Sequence, residues 1–126
     1  MTGILDTRMA VFARDGHCLL APPTSMTHVQ AAQRKVGASH CYGQPRTAHH
    51  LRKASKGGPY LLHNLVTLCA FHNDWVEDYP LAAHTWGLVL RTGEVPQEAW
   101  ARMHLAGLCD YWWDGSPATG PWPGQP

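Results

Sequence analysis

Residues 48–77 constrain the fold of this chain more than any other stretch. A histidine pair opens the stretch, a basic segment ending in Gly57-Gly58 follows, and the apolar run of residues 61–68 comes next. Glycine lets the backbone turn sharply and approach another segment closely, so we predict a short strand on either side of this loop. From Cys69 the apolar residues take helical spacing until Pro80, where proline ends the helix. The stretch therefore predicts two short strands followed by a helix.

The fixed charges of the chain are divided unevenly along its length. The net charge is only +1, but no Asp or Glu occurs between Gly16 and Asn73. Six basic residues lie in that window: Arg34, Lys35, Arg46, Arg52, Lys53 and Lys56. A segment whose fixed charge is all positive suits a polyanionic partner, most simply nucleic acid. The alternative is an ordinary solvated basic surface.

The length of the chain, 126 residues, suits one domain with short extensions. We predict a domain at residues 1–90, with its core at residues 40–80, followed by a C-terminal extension at residues 91–126. Glycine and proline dominate the end of that extension, so we expect its last ~12 residues to be disordered. Further elements are predicted from apolar spacing: helices at residues 6–14 (with Asp6 as N-cap), 27–36, 81–86 and 96–105, the last with an irregular segment as alternative, and a strand at residues 106–113.

The sequence has no signal for a membrane or a secreted protein. No apolar run approaches the length needed to cross a bilayer, and the N-terminus lacks a basic start followed by a hydrophobic block. We therefore expect a cytoplasmic protein, in which thiols stay reduced and cysteines serve as ligands rather than in disulfides.

Four residues form a candidate metal site. Cys69 and His72 are three apart at the predicted strand-to-helix junction, a spacing at which both side chains can reach one tetrahedral ion. Cys18 and Cys41 are the natural second pair, so we predict a structural zinc site formed by these four residues. The alternative is that the three cysteines are buried and act as small apolar residues. Cys109 lies far along the chain and is predicted to be a core thiol.

A second group of residues has the chemistry of a hydrolytic site. In an adjacent histidine pair, one imidazole can hold a metal while its neighbour takes a proton from water, which suits His49 and His50. Asn73 and Glu77 lie four apart on one face of the predicted helix, and both offer oxygen ligands suited to Mg²⁺ or Mn²⁺. Asn64 lies in the apolar run, where a buried amide needs partners such as the loop backbone and a histidine. Taken singly, each is more often a packing or surface residue, but their convergence favours a site.

An ordered series of motifs between residues 8 and 90 resembles the zinc-supported HNH endonuclease domains common among bacteriophage proteins. The series comprises Arg14-Asp15-Gly16-His17-Cys18, Cys41-Tyr42-Gly43, Ala48-His49-His50, Lys56-Gly57-Gly58, Asn64-Leu65-Val66-Thr67-Leu68-Cys69, Trp75-Val76, Pro80 through Ala83, and Gly87-Leu88. The resemblance implies an α+β protein with a ββα-metal core, a structural zinc site and flanking helices. It also implies hydrolysis of phosphodiester bonds in double-stranded DNA with one divalent cation.

Carried over to this chain, the resemblance assigns a role to each candidate residue. His50 becomes the general base that activates water, His49 a ligand of the catalytic ion, and Asn64 the residue that fixes the loop and orients the base. Phosphate contacts, which position DNA without reading its sequence, would come from Arg46, Arg52, Lys53 and Lys56. The resemblance therefore implies little sequence specificity.

The predicted helix departs from the family's usual Cys-x-x-Cys-His, followed four residues later by another His. His72 takes the place of the second Cys, Asn73 that of the His, and Glu77 that of the later His. In one interpretation the chain is an HNN-type nuclease whose His49, Asn73 and Glu77 hold Mg²⁺ or Mn²⁺. In the other, His72 is the terminal catalytic histidine and the zinc site is incomplete. We favour the first, because Cys69 and His72 share a helical face and Asn73 is turned about 100° away.

The resemblance also indicates a biological setting. Phage nucleases of this type work beside DNA-packaging proteins in the host-cell cytoplasm, and a mobile-element endonuclease or a restriction-like defence enzyme is the alternative. A different class of function is a zinc-stabilised DNA-binding or assembly module with weak or no nuclease activity, which the changes at Asn73 and Glu77 motivate. A protein-interaction domain built around the six tryptophans is a third alternative.

Overall fold

The computed structural model describes residues 3–21, 41 and 43–126, which form a small α+β protein. Its helices are α1 (Ile4–Asp15), α2 (Ala70–Asp78), α3 (Pro80–Thr85) and α4 (Pro96–Leu105), and its strands are β1 (Thr47–His50) and β2 (Leu65–Leu68). Short 3₁₀ turns lie at Ala54–Lys56 and Leu62–Asn64. The predicted helix at residues 27–36, with Arg34 and Lys35, lies outside the described residues. No helix in the described part of the chain is long and apolar enough to span a bilayer.

The two strands pair antiparallel and lead directly into α2. His49 lies opposite Val66, and His50 lies opposite Leu65. All four residues of β2 are buried, because α1 and α2 both pack against this strand. The order strand, strand, helix confirms the prediction made from residues 48–77, and it places the histidine pair beside α2.

Other predicted elements are confirmed with shifts that have local causes. The helices at residues 6–14, 81–86 and 96–105 form, but α1 begins at Ile4 with Gly3 rather than Asp6 as its N-cap. The first half of the predicted strand at residues 61–68 is a 3₁₀ turn. The predicted strand at residues 106–113 is wrong, because this segment forms only an isolated bridge between Tyr111 and Pro117 and its indoles bind the C-terminal tail.

A buried ion pair at the end of α1 ties distant segments together. The Arg14 guanidinium pairs with the Asp15 carboxylate, with Nε 2.8 Å from Oδ1, and both side chains are almost wholly buried. The same guanidinium donates to three backbone carbonyls, those of Leu62, Leu65 and Trp113. Asp15 in turn accepts from the Thr67 N–H at 2.9 Å and the Tyr111 hydroxyl at 2.8 Å. Burial and the Asp15 charge raise the pKa of Tyr111, so its hydroxyl stays protonated and donates.

Residues 91–126, expected as an extension, pack into the same core as the strands. The buried core joins Leu51, Val66 and Leu88 with Ala99, Trp100, Met103, Leu108 and Trp112. The Trp100 indole is fully buried, and its Nε1 donates to the His63 carbonyl at 3.0 Å. α4 lies so close to the end of α3 that a Cβ on Gly87 would come within 2.3 Å of the Ala99 carbonyl oxygen. A boundary after residue 90 therefore does not correspond to a break in the core.

The tail after Asp114, whose composition predicts disorder, contacts the two tryptophans that precede it. Trp112 Nε1 donates to the Gly120 carbonyl at 2.9 Å, and Trp113 Nε1 donates to the Gly124 carbonyl at 2.6 Å. The Trp122 ring packs edge-on against Trp112, with centroids 5.3 Å apart. Composition favours disorder here, but aromatic burial and indole hydrogen bonds offset the entropy of ordering the tail.

Candidate metal centre and adjoining cavity

Three cysteines and one histidine converge in the structure as the sequence predicts. One ligand atom from each of Cys18, Cys41, Cys69 and His72 lies within 4.8 Å of the other three. His72 Nδ1 is 3.6 Å from Cys18 Sγ and 3.5 Å from Cys69 Sγ, and the sulfur atoms of Cys41 and Cys69 are 3.9 Å apart. The cluster could hold a metal ion. Cys109 lies outside it, half-buried, with its thiol 3.7 Å from the Tyr111 carbonyl.

Local backbone contacts hold each ligand in place. Cys69 is the N-cap of α2, and its sulfur accepts from the His72 N–H at 3.4 Å. The Gly43 N–H points at Cys41 Sγ at 3.3 Å, while the Gly43 carbonyl accepts from the Cys18 N–H at 2.9 Å. These contacts connect the turn after α1, the segment before β1 and the start of α2 at one point. The cluster therefore fixes three separate parts of the chain relative to one another.

The charges within the cluster favour an ionised sulfur. The Cys18 thiol donates to the Cys41 sulfur, and this hydrogen bond, with help from His72, lowers the pKa of Cys41 to about 4. The same hydrogen bond and burial raise the pKa of Cys18. The thiolate is the form of cysteine that binds metals. The lowered pKa of Cys41 therefore favours cation binding by the cluster.

A cavity of about 210 Å³ opens between β1, the loop after it and α2. Four of the residues predicted to be catalytic or ion-binding line it: His49, His50, Asn73 and Glu77. Lys53 lines it too, although the sequence predicted for this residue only a phosphate contact. The structure thus brings together one nitrogen donor, two oxygen donors and a second imidazole at one open site.

The two histidines of β1 have different surroundings. His49 is buried, and its Nε2 donates to the Leu88 carbonyl at 2.7 Å, which leaves Nδ1 with the lone pair that a metal needs. Burial lowers the pKa of His49. His50 is half-buried, with its ring centroid 5.5 Å from that of Tyr60, and burial lowers its pKa as well. Both imidazoles are therefore biased toward the neutral form, which can bind a metal or accept a proton.

Asn64 bridges the two ends of the loop after β1. Its Oδ1 accepts from the Arg52 N–H at 2.8 Å, and its Nδ2 donates to the carbonyls of Arg52 and Pro59, each at 3.0 Å. The amide is 1% exposed. A Cβ on Gly58 would lie 1.8 Å from the Arg52 carbonyl oxygen, so only glycine allows this close approach. All three hydrogen bonds go to the loop backbone, and none joins the loop to a histidine as the sequence suggested.

We expect Asn64→Ala to destabilise the protein by about 2 to 3 kcal/mol, because it leaves buried backbone groups without partners. Urea unfolding at constant zinc concentration measures this loss. Asn73→Ala is the matched control: its side chain is only half-buried, and the same substitution there should change stability by less than about 0.5 kcal/mol. Equal losses in the two variants would show that the Asn64 bridge does not hold the loop.

The predicted DNA-binding residues differ in whether their side chains already bind other groups of the protein. Lys56 and Arg46 are exposed, and the Arg46 carbonyl accepts from Arg8, a further, half-buried cation that the sequence did not single out. The Arg52 guanidinium donates to the Glu94 carbonyl, and the Lys53 ammonium pairs with Glu77 at 3.3 Å. Two of the four predicted contacts are therefore already engaged within the protein.

Sequence reasoning missed the partners that place these groups. The Leu88 carbonyl orients His49, and the Tyr60 ring packs on His50. A sequence motif identifies neither contact. Any residue type can supply a backbone carbonyl, and Leu88 is far from His49 along the chain.

The described residues thus define a small α+β protein whose Cys₃His cluster could hold a metal ion. No protein-family model, curated protein or solved structure matches the chain. What the chain does is therefore inferred from its own residues and their geometry.

Proposed function

We propose that the chain is a metal-dependent endonuclease of the HNH type, in its HNN variant, with a ββα-metal core. It hydrolyses phosphodiester bonds of double-stranded DNA with low sequence specificity, in a phage or mobile element. The observation that carries this proposal is the cavity in which His49, His50, Asn73 and Glu77 meet beside a loop held by Asn64. Two residues of β1 and two residues of α2 thus line the same opening.

The donor set suits a hard divalent cation. His49 offers Nδ1, and Asn73 and Glu77 offer oxygen atoms, which are ligands for Mg²⁺ or Mn²⁺. When bound, such an ion polarises the scissile phosphate and stabilises the leaving oxygen. His50, neutral because burial lowers its pKa, accepts the proton of the attacking water. Asn64 keeps the loop in the shape that forms one wall of the site.

Double-stranded DNA is the proposed partner because basic residues lie in and beside the strand and loop that line the cavity. Lys53 and Lys56 lie on the loop, and Arg46 precedes β1. Contacts from such residues to phosphates position a duplex without reading bases. The sequence resemblance alone supports two further proposals. DNA-packaging proteins of a phage are further partners, and the protein is located in the host-cell cytoplasm.

We propose zinc for the Cys₃His cluster. In a tetrahedral zinc site, the usual bond lengths put two sulfur ligands about 3.8 Å apart and a sulfur and a nitrogen about 3.6 Å apart. The observed separations are 3.9 Å between the sulfurs of Cys41 and Cys69, and 3.6 Å and 3.5 Å from His72 Nδ1 to the sulfurs of Cys18 and Cys69. His72 is thereby engaged in the cluster, which favours the interpretation that Asn73 rather than His72 serves the catalytic ion.

Plasmid cleavage by the purified zinc-loaded chain tests the proposed activity. Supercoiled plasmid should be converted to nicked or linear forms with Mg²⁺ or Mn²⁺, and should stay intact with EDTA added just before the DNA or with Zn²⁺ as the only divalent ion. Glu77→Gln should lower the rate at limiting Mg²⁺, because it removes a charged ligand. Asp74→Asn, on the same helix but outside the cavity lining, is the matched control. Cleavage that is the same with every metal and in every variant would contradict the proposal.

A zinc-stabilised DNA-binding or assembly module without nuclease activity is the second candidate. The observation that favours it is the Lys53–Glu77 ion pair. Glu77 is one of the ligands that a catalytic ion would need, and it already pairs with the Lys53 ammonium. Such a module would retain zinc and bind plasmid DNA in a salt-dependent way, yet leave the DNA intact with every divalent ion.

A further inference from the structure

The loop after β1 carries a positive charge into the candidate active site. Lys53 Nζ is 3.3 Å from Glu77 Oε2, and both side chains line the same cavity as His49. The pair is about half-exposed, with 54% of the Lys53 side chain and 57% of the Glu77 side chain accessible. An ion pair this open contributes little to stability, so its position matters more than its strength.

The backbone around Lys53 is held firmly. Its carbonyl accepts from the Lys56 N–H at 2.9 Å and from the Gly58 N–H at 3.0 Å. The preceding residue, Arg52, is bound by Asn64 through both its N–H and its carbonyl. Lys53 is therefore delivered to Glu77 by a fixed loop rather than by a mobile surface segment.

Both members of the pair lie at the same cavity as the imidazole that is proposed to bind the ion, because His49, Lys53 and Glu77 all line it. The ammonium and a cation held by Glu77 and His49 would thus share one small region. A carboxylate oxygen that binds a divalent ion at about 2.1 Å cannot keep an ammonium at ion-pair distance without strong repulsion between the two cations.

We infer that Lys53 competes with the catalytic cation for Glu77, so that the ion pair must open before the ion binds. The inference rests on the proposed function, because the ion with which Lys53 competes for Glu77 is the proposed catalytic ion. Lys53 then lowers the cation affinity of the free protein and acts on the ion through Glu77. It is a positioning residue whose charge sets the concentration of Mg²⁺ or Mn²⁺ that fills the site.

Calorimetric titration of Mn²⁺ into the zinc-loaded full chain, without DNA, tests this inference. Lys53→Gln should bind Mn²⁺ about three- to tenfold more tightly than the wild type, because Glu77 loses its competing partner. Lys56→Gln is the matched control: it removes the same charge from the same loop, at an exposed residue outside the cavity lining, and should change affinity by less than about twofold. Glu77→Gln should weaken binding.

The double variant separates competition from a general charge effect. When Glu77 is already Gln, Lys53→Gln should no longer tighten Mn²⁺ binding, since the competed ligand is gone. Tightening of the same size in both backgrounds, or no more tightening than Lys56→Gln gives, would overturn the inference and leave the ion site intact. If the wild type binds no Mn²⁺, or if Glu77→Gln leaves binding unchanged, the inference and the proposed catalytic ion are overturned together.

Discussion

Removal of the proposed zinc ion from the Cys18, Cys41, Cys69 and His72 cluster is expected to abolish cooperative unfolding of the protein. The four ligands connect three segments that the short sheet alone does not hold together. Structural zinc contributes on the order of 10 kcal/mol to the folding of finger peptides, which is comparable to the whole stability of a domain of this size. Far-ultraviolet circular dichroism during heating, with and without a strong chelator, measures the effect.

Cys69→Ser should reproduce the loss, since it removes a ligand that is also the N-cap of α2. Cys109→Ser is the matched control, because Cys109 lies outside the cluster and a serine hydroxyl can donate to the same Tyr111 carbonyl. The zinc content of each variant should be one ion per chain for the wild type and the control and well below one for Cys69→Ser. A chelated protein that melted at the wild-type temperature would show that the cluster is a set of buried thiols.

The parts of the fold that the sequence predicts are those set by local chemistry. Gly57-Gly58 demands a turn, and Pro80 ends a helix, so β1, β2 and α2 follow from residue types alone. Cys69, the N-cap of α2, is three residues before His72, which makes their convergence on one ion predictable from spacing. Cys18 and Cys41 join them only through the tertiary fold. They could still be predicted as ligands, because the remaining cysteine, Cys109, lies far along the chain.

The parts that the sequence does not predict depend on contacts between distant segments. Arg14 binds three carbonyls from two distant parts of the chain, residues 62–65 and Trp113, and nothing in its neighbourhood signals this. The ordering of the tail depends on hydrogen bonds from the Trp112 and Trp113 indoles to the carbonyls of Gly120 and Gly124. The glycine- and proline-rich composition of the tail does not predict these contacts. The pairing of Lys53 with Glu77 likewise requires the loop and α2 to meet.

His50→Ala is expected to lower plasmid cleavage by about 10² to 10⁴-fold while leaving DNA binding unchanged within about threefold. The substitution removes the imidazole that is proposed to accept the proton of water, and it removes none of the cationic side chains that are proposed to bind phosphates. His50 is half-buried and its ring packs only against Tyr60 among the described aromatic contacts, so the fold should survive. Single-turnover cleavage with saturating Mg²⁺ and a fluorescence-anisotropy titration of a short duplex measure the two effects separately.

The exposed His17 supplies the matched control, since His17→Ala removes an imidazole outside the cavity lining and should leave cleavage and zinc content near the wild-type values. Cleavage by His50→Ala at the wild-type rate would remove His50 from the role of general base. If the wild type itself binds the duplex and retains zinc but cleaves no faster than His50→Ala with any divalent ion, the chain is the DNA-binding module. In that case the Lys53–Glu77 ion pair competes with no catalytic ion, and the basic residues of the loop serve only to bind a polyanion.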